Sequence, residues 1–189
     1  MEGSVGAGTG ATVGKLYGID QATKGGLGFG SRGLRGGVRV QALAVVNAFG
    51  DVVDPRTGKV IAGARVSPAS PEFAVTAESM FERGVGRGFA ATHTTLVVVM
   101  TNAELDKVQT TKVAQMAHDG LARAIHPVHT QWDGDLVFAL SMGRKRADLN
   151  SLGTAAAEVT AEAIVRAVEA AQGLGGVPSL RELRGWKEL

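Results

Sequence analysis

Thr94-Thr-Leu-Val-Val-Val-Met-Thr101 is a β-branched run without a single charge. Valine and threonine are stiff at χ1 and suit a pleated surface. An uncharged run with no alternation reads as a central strand buried on both faces. The chain before it is opposite in character. From about Arg65 to His93 the pattern dissolves into Ser67-Pro-Ala-Ser-Pro71 and then into Glu, Arg and Gly in short order. That composition reads as a flexible connector, with one helical turn near Ala77 to Phe81. A stiff strand therefore opens directly after a loose segment.

Working outward, Leu105, Val108, Val113, Met116, Ala117, Leu121, Ala124 and Ile125 recur at three- and four-residue spacing. They predict an amphipathic helix that Pro127 must stop. Trp132-Asp-Gly-Asp135 is a tight turn, and Leu136-Val-Phe-Ala-Leu140 a further core strand. A second helix is predicted from about Leu152 to Gln172, with Asn150 and Ser151 as capping candidates, Gly173 as its stop, and Val159, Ala163, Ile164 and Val168 on one side. Upstream, Val38 to Asn47 and Lys59 to Ala62 read as a pair of strands around the turn Asp54-Pro-Arg-Thr-Gly58. Residues 1–37 are glycine-dominated and read as loops and short strands, and the segment from Gly175 onward gives no clear signal.

The length of 189 residues suits a single domain, and 44% hydrophobic with 20% charged residues is ordinary for a folded protein. The excess is glycine, at 27 residues, which implies tight turns and close backbone approaches. A net charge of +2 without a concentrated basic stripe argues against nucleic acid as a partner. The absence of cysteine excludes disulfides and thiolate metal sites. The apolar runs are too short to span a bilayer, and the start lacks a signal-peptide pattern, so the expectation is a cytoplasmic protein without a membrane partner. Gly8-Thr-Gly-Ala-Thr-Val-Gly-Lys15 is not a phosphate loop. Thr9 stands where the first glycine belongs, and Leu16 stands where a magnesium-binding hydroxyl is needed.

A loose connector, a threonine and then a rigid strand is the arrangement that an N-terminal nucleophile requires. A threonine hydroxyl is weakly nucleophilic, but scission in front of it frees an α-amine on the same residue to act as base. That amine titrates near neutrality, about 7.7 to 8.0, and a neighbouring ammonium lowers it further. On this local pattern alone, Thr94 reads as an ordinary threonine at the start of a strand.

Several longer motifs extend the reading. They are Glu2-Gly-Ser-Val-Gly-Ala-Gly-Thr-Gly-Ala-Thr-Val-Gly-Lys15, Val45-Val-Asn-Ala-Phe-Gly-Asp-Val-Val-Asp54, Thr94-Thr-Leu-Val-Val-Val99, Ala114-Gln-Met-Ala-His-Asp-Gly-Leu-Ala-Arg-Ala-Ile125 and Pro127-Val-His-Thr-Gln-Trp-Asp-Gly-Asp-Leu-Val-Phe138. In this order, and over Glu2 to about Ala171, the chain resembles the self-processing L-aminopeptidase/D-esterase family, which includes β-peptidyl aminopeptidases and nylon-oligomer hydrolases. The resemblance implies an α/β fold of the N-terminal-nucleophile type, a four-layer α-β-β-α sandwich. It implies autocleavage between His93 and Thr94, with residues 1–93 as an α-chain ending in the linker (about 65–93) and residues 94–189 as a β-chain.

The same resemblance assigns roles. Thr94 would be the nucleophile and Lys15 the ammonium beside it. Asn47 would donate its amide to the oxyanion, and Asp133 and Asp135 would orient the hydroxyl and amine and relay protons. No cofactor or metal is implied. The implied substrate is a small peptide or amide, and the implied assembly a homo-oligomer of processed α/β heterodimers. Two departures are visible. Asn or Gly usually stands where this chain has His93. The stretch resembling Glu2 to Lys15 normally lies well inside the chain, which implies a fold incomplete at the N-terminus, with apolar surface exposed.

Other readings are weaker. His118, His126 and His129 lack the four-residue helical spacing of a metal pair. Arg32, Arg35 and Arg39 lack interleaved aromatics and read as a solvated loop. An acyltransferase using the same Thr94 nucleophile and an inactive truncated remnant remain as functional alternatives.

Overall fold

The computed structural model describes residues 1–84 and 93–186. The strands in chain order are β1 (Thr12–Val13), β2 (Thr23–Lys24), β3 (Gly26–Gly33), β4 (Arg39–Asn47), β5 (Asp51–Val53), β6 (Val60–Ala62), β7 (Thr94–Ala103), β8 (Ile125–His126) and β9 (Leu136–Lys145). The helices are α1 (Thr76–Arg83), α2 (Lys107–Ala124), α3 (Leu149–Glu169) and α4 (Leu180–Trp186). The main sheet has the order β3-β4-β7-β9; a smaller sheet has the order β6-β5-β8, and β1 pairs with β2. β3, β4 and β7 run antiparallel in succession, while β7 and β9 are parallel and joined through α2. The parallel step needs a long crossover connection, which the helix supplies.

Helices α2 and α3 pack on one face of this sheet. Val40, Ala42, Ala44 and Val46 of β4 and Val97, Val99 and Ala103 of β7 are buried beneath them, together with Val113, Ala117 and Leu121 of α2 and Val159, Ala163, Ile164 and Val168 of α3. The glycine excess of the N-terminal third is explained here. A Cβ on Gly28 would lie 2.0 Å from the Ala163 carbonyl oxygen, and one on Gly30 would lie 2.2 Å from that of Val159. Helix α3 thus rests directly on the backbone of β3, an eight-residue strand in a region expected to hold only loops and short strands.

No described helix packs on the opposite face, which corrects the expectation that Thr94–Thr101 is buried on both faces. β7 alternates along its length, and Leu96 on the far side is 42% exposed. In β9, Leu136, Phe138, Leu140 and Met142 point the same way and are 45–69% exposed. Register aligns them in rows, Val45–Leu96–Leu136 and Leu43–Val98–Phe138. Among the described residues no helix covers these rows, so the uniform apolarity of β7 combines a buried face with a partly exposed one.

Several boundaries move for local reasons. Asp106 caps α2 with its carboxylate on the Gln109 amide, and Gln109 answers on the Asp106 amide, forming a capping box. α2 ends at Ala124, before Pro127 could stop it, because Ile125 and His126 turn extended to pair with β5. Asp148, not Asn150 or Ser151, caps α3 by accepting from the Ser151 amide at 2.8 Å, and the helix ends at Glu169. β6 pairs with the short β5, not with β4. The connector expected from 65 to 93 is structured through Gly84. Arg65 and Thr76 are buried, and the Asp51 carboxylate accepts from the amides of Ala64 and Thr76 and from the Thr76 hydroxyl. Its remainder, residues 85–92, lies outside the described residues. Beyond Gly175, Ser179 and Glu182 cap α4 reciprocally, and Leu180 and Leu183 are buried.

Candidate functional site

Thr94 opens β7 and is the cross-strand partner of Asn47, the last residue of β4. Both side chains therefore lie on the face away from α2 and α3, at one end of the sheet. The Thr94 hydroxyl donates to the carbonyl oxygen of His93, the residue before it. That oxygen also accepts from the Gly134 amide at 2.9 Å. Two donors thus converge on the carbonyl of the His93–Thr94 bond, and one of them is the hydroxyl expected to attack it. Gly134 leaves room for the hydroxyl, because a Cβ there would stand 3.1 Å from Thr94 Oγ1.

Lys15 arrives from the turn after β1. Its backbone amide donates to the Phe49 carbonyl at 2.9 Å, and its side chain runs inward to be 7% exposed. Its Nζ donates to the Asn47 backbone carbonyl at 2.9 Å and to Asn47 Oδ1 at 2.7 Å, and it lies 3.2 Å from His93 Nδ1. The Thr12 amide also donates to Asn47 Oδ1, at 3.1 Å. The Asn47 amide plane is thereby pinned, with Oδ1 toward the lysine and Nδ2 turned away from it. Burial pulls the Lys15 ammonium down to about 8, while the Asp133 carboxylate acts in the opposite direction. Burial, the Lys15 charge and, in opposition, Asp133 act on His93, with the net effect of lowering its pKa.

The two carboxylates of Asp133-Gly-Asp135 serve different partners. Asp133 Oδ1 accepts from the Phe49 amide at 3.1 Å, and its Oδ2 accepts from the Thr130 hydroxyl at 2.6 Å. Asp135 Oδ1 accepts from the Thr95 amide at 2.7 Å, and its Oδ2 is 2.8 Å from His129 Nδ1. In the uncleaved chain neither carboxylate is hydrogen-bonded to the Thr94 hydroxyl, which donates to the His93 carbonyl. Asp135 grips the next residue along, and Asp133 holds the loop carrying Phe49. The turn itself is locked to the strand start by a parallel bridge between His93 and Asp133.

Three contributors escaped sequence reasoning. The Gly134 amide is a backbone donor and has no side-chain signature. His129 was weighed only as a metal ligand, yet it faces Asp135, and its Nε2 lies 3.2 Å from His118 Nδ1. Phe49 sets its ring 5.7 Å from that of His93 and 5.0 Å from that of Trp132, walling one side of the site. The sequence spacing Phe49-Gly-Asp51 could not show that contact, which joins segments far apart in the chain. Among the described residues, no three His, Asp or Glu side chains converge as a metal-ligand set.

Peptidase family S58 matches residues 1–180. An uncharacterized aminopeptidase of Mycobacterium tuberculosis is 36% identical over 200 aligned residues, covering 96% of this chain and 56% of the relative. A 6-aminohexanoate-oligomer endohydrolase of Paenarthrobacter ureafaciens is 31% identical over 183 residues, covering 88% of this chain and 50% of the relative. A β-aminopeptidase from Burkholderia sp. superposes with a TM-score of 0.60 at 27% identity, over 97% of this chain and 52% of that one. The L-aminopeptidase D-Ala-esterase/amidase of Ochrobactrum anthropi, described as a variant of the Ntn hydrolase fold, superposes with a TM-score of 0.65 at 21% identity, over 100% of this chain and 54% of that one; this likeness concerns the fold alone. The chain spans about half the length of the relatives it matches. With a family match over nearly its whole length and identities above 30% to members across most of it, the chain belongs to peptidase family S58.

Proposed function

We propose that this chain is the core of an autoproteolytic N-terminal-nucleophile hydrolase of peptide or amide bonds. It would cleave itself between His93 and Thr94 and then act through an acyl-enzyme on Thr94. The observation that supports this best is the convergence of the Thr94 hydroxyl and the Gly134 amide on the His93 carbonyl, with a buried ammonium in hydrogen-bond range of the same residue.

In the first step, Thr94 Oγ1 bonds to the His93 carbonyl carbon, and the carbonyl oxygen takes up negative charge. The Gly134 N–H is already aimed at that oxygen, so no reorganisation is needed to stabilise it. The C–N bond then breaks, the hydroxyl proton passes to the departing Thr94 nitrogen, and an ester remains. Water hydrolyses the ester, releasing the His93 carboxylate and regenerating the hydroxyl beside a free α-amine. Lys15 holds that amine's pKa down so that it acts as base near neutral pH. The same cycle then acts on a substrate amide, with the pinned Asn47 amide as an oxyanion donor and Asp135 steadying the start of β7. The names of the relatives agree in pointing to amide-bond hydrolysis, so aminopeptidase or amidase action is the reading for the whole protein.

The test is intact mass and N-terminal sequencing of purified protein during incubation, beside a Thr94→Ala control. A fragment beginning at Thr94 is expected in the wild type alone. Persistence of the uncleaved chain, or cleavage at another bond, overturns the proposal.

A further inference from the structure

In the uncleaved chain, His93 is itself the acyl residue of the bond facing Thr94, so its side chain shows what the acyl side of the site accepts. The ring is buried, at 6% exposed, between Lys15 and Phe49. An ammonium has only donors, so His93 Nδ1 must accept from Lys15 and the proton must sit on Nε2. Lys15 then meets three acceptors: two on Asn47, which are fixed parts of the site, and one on the acyl residue. That third acceptor leaves with the acyl group. His93 Nε2, by contrast, is buried without a hydrogen-bond partner among the described residues. The pocket thus recognises the δ atom of the side chain and is indifferent or hostile to a donor beyond it.

We infer that the acyl-side pocket selects substrates whose acyl residue carries a flat side chain with a hydrogen-bond acceptor at the δ position, read by Lys15 Nζ against the Phe49 ring. Asparaginyl, aspartyl and histidyl amides fit this description, and an aliphatic acyl residue forgoes the Lys15 contact. Asn and Asp place an oxygen where His93 places Nδ1, and neither has an atom at the ε position, where His93 Nε2 is buried without a partner among the described residues. This substrate class rests on the proposed nucleophile, but the recognition of the acceptor can be measured without it.

A Thr94→Ala, His93→Gly double variant, with His93→Ala as its alternative if folding suffers, removes both the hydroxyl and the ring. It would be titrated with imidazole, acetamide and pyrrole just below pH 8, and the Phe49 and Gly134 amides followed by NMR. Imidazole and acetamide offer an acceptor, whereas pyrrole has the ring shape without one. A hydrogen bond from a charged donor predicts that imidazole and acetamide bind about ten- to a hundredfold more tightly than pyrrole, and that Lys15→Met abolishes the difference. Equal binding of pyrrole, discrimination that survives Lys15→Met, or no binding of any probe overturns the inference.

In the otherwise native chain, His93→Asn should self-cleave at least as fast as wild type, and His93→Leu at least about tenfold more slowly. Equal rates for Asn and Leu also overturn it. If the wild type never cleaves, the nucleophile reading fails while the probe titration still decides the pocket.

Discussion

Replacing Lys15 with methionine should change how stability depends on pH by an amount that the burial of its ammonium sets. The folded pKa is about 8 against an ordinary 10.5, and the dominant cause is desolvation. At about 1.4 kcal/mol per unit, the shift corresponds to about 3 kcal/mol between the two protonation states. For a lysine depressed in the fold, the unfolded chain binds the extra proton between these two values. Wild-type stability should therefore rise as pH climbs from about 8 to 10.5, and this contribution is lost as pH falls through about 8. Methionine has a stem of similar length and no proton, so its variant lacks the rise. The hydrogen bonds to Asn47 and His93 lost with the amine alter the offset between the two proteins but much less the slope. Urea unfolding of Thr94→Ala and of Thr94→Ala with Lys15→Met would be followed at about pH 7 and about pH 11, both chains staying intact. The difference in their unfolding free energies should change by about 3 kcal/mol across that interval, with the wild-type lysine gaining relative to methionine at high pH. Parallel pH profiles would refute the buried ammonium. With Thr94 restored, self-cleavage should decline above about pH 8 as Lys15 loses its charge.

Three further outcomes follow from the packing. Gly134→Ala, whose Cβ would crowd Thr94 Oγ1 at 3.1 Å, should slow self-cleavage about ten- to a hundredfold in a mass-spectrometric time course. Gly28→Ala forces a methyl to within 2.0 Å of the Ala163 carbonyl oxygen and should cost at least about 2 kcal/mol in urea unfolding, since backbone must move. Phe138→Lys with Met142→Lys should reduce binding of a hydrophobic dye while shifting stability by no more than about 1 kcal/mol, because both side chains are already more than half exposed.

The elements legible from sequence are those whose signal is local. The three- and four-residue spacing from Leu105 to Ile125 marked α2, and Asp106 with Gln109 could have marked its start, since a capping box is visible in four residues. Ser179 and Glu182 carry the same signature for α4, in the segment from Gly175 onward where the sequence gives no clear signal. The glycines of β3 misled for the opposite reason. Their alternation at Gly26, Gly28 and Gly30 is a strand pattern in which the buried position is filled by a helix backbone instead of a side chain. Propensity scales count such glycines only as strand breakers.

The residues singled out from motifs, Lys15, Asn47, Thr94, Asp133 and Asp135, lie in one neighbourhood, linked through His93, Phe49 and Thr95. The motif resemblance nominated them, since by residue type alone Thr94 is an ordinary threonine at a strand start and Asp133-Gly-Asp135 a tight turn. The sequence by itself determined this inventory, the helical periods and the stiffness of β7. Only the tertiary structure decided that β7 is covered on one face, that Asp135 grips the Thr95 amide, that a backbone N–H at Gly134 shares the His93 carbonyl with Thr94, and that the imidazole of His93 completes the shell of Lys15. Those decisions depend on strand register and on the face to which the α2 crossover returns the chain, and both are set by contacts between residues tens of positions apart, which no local window contains.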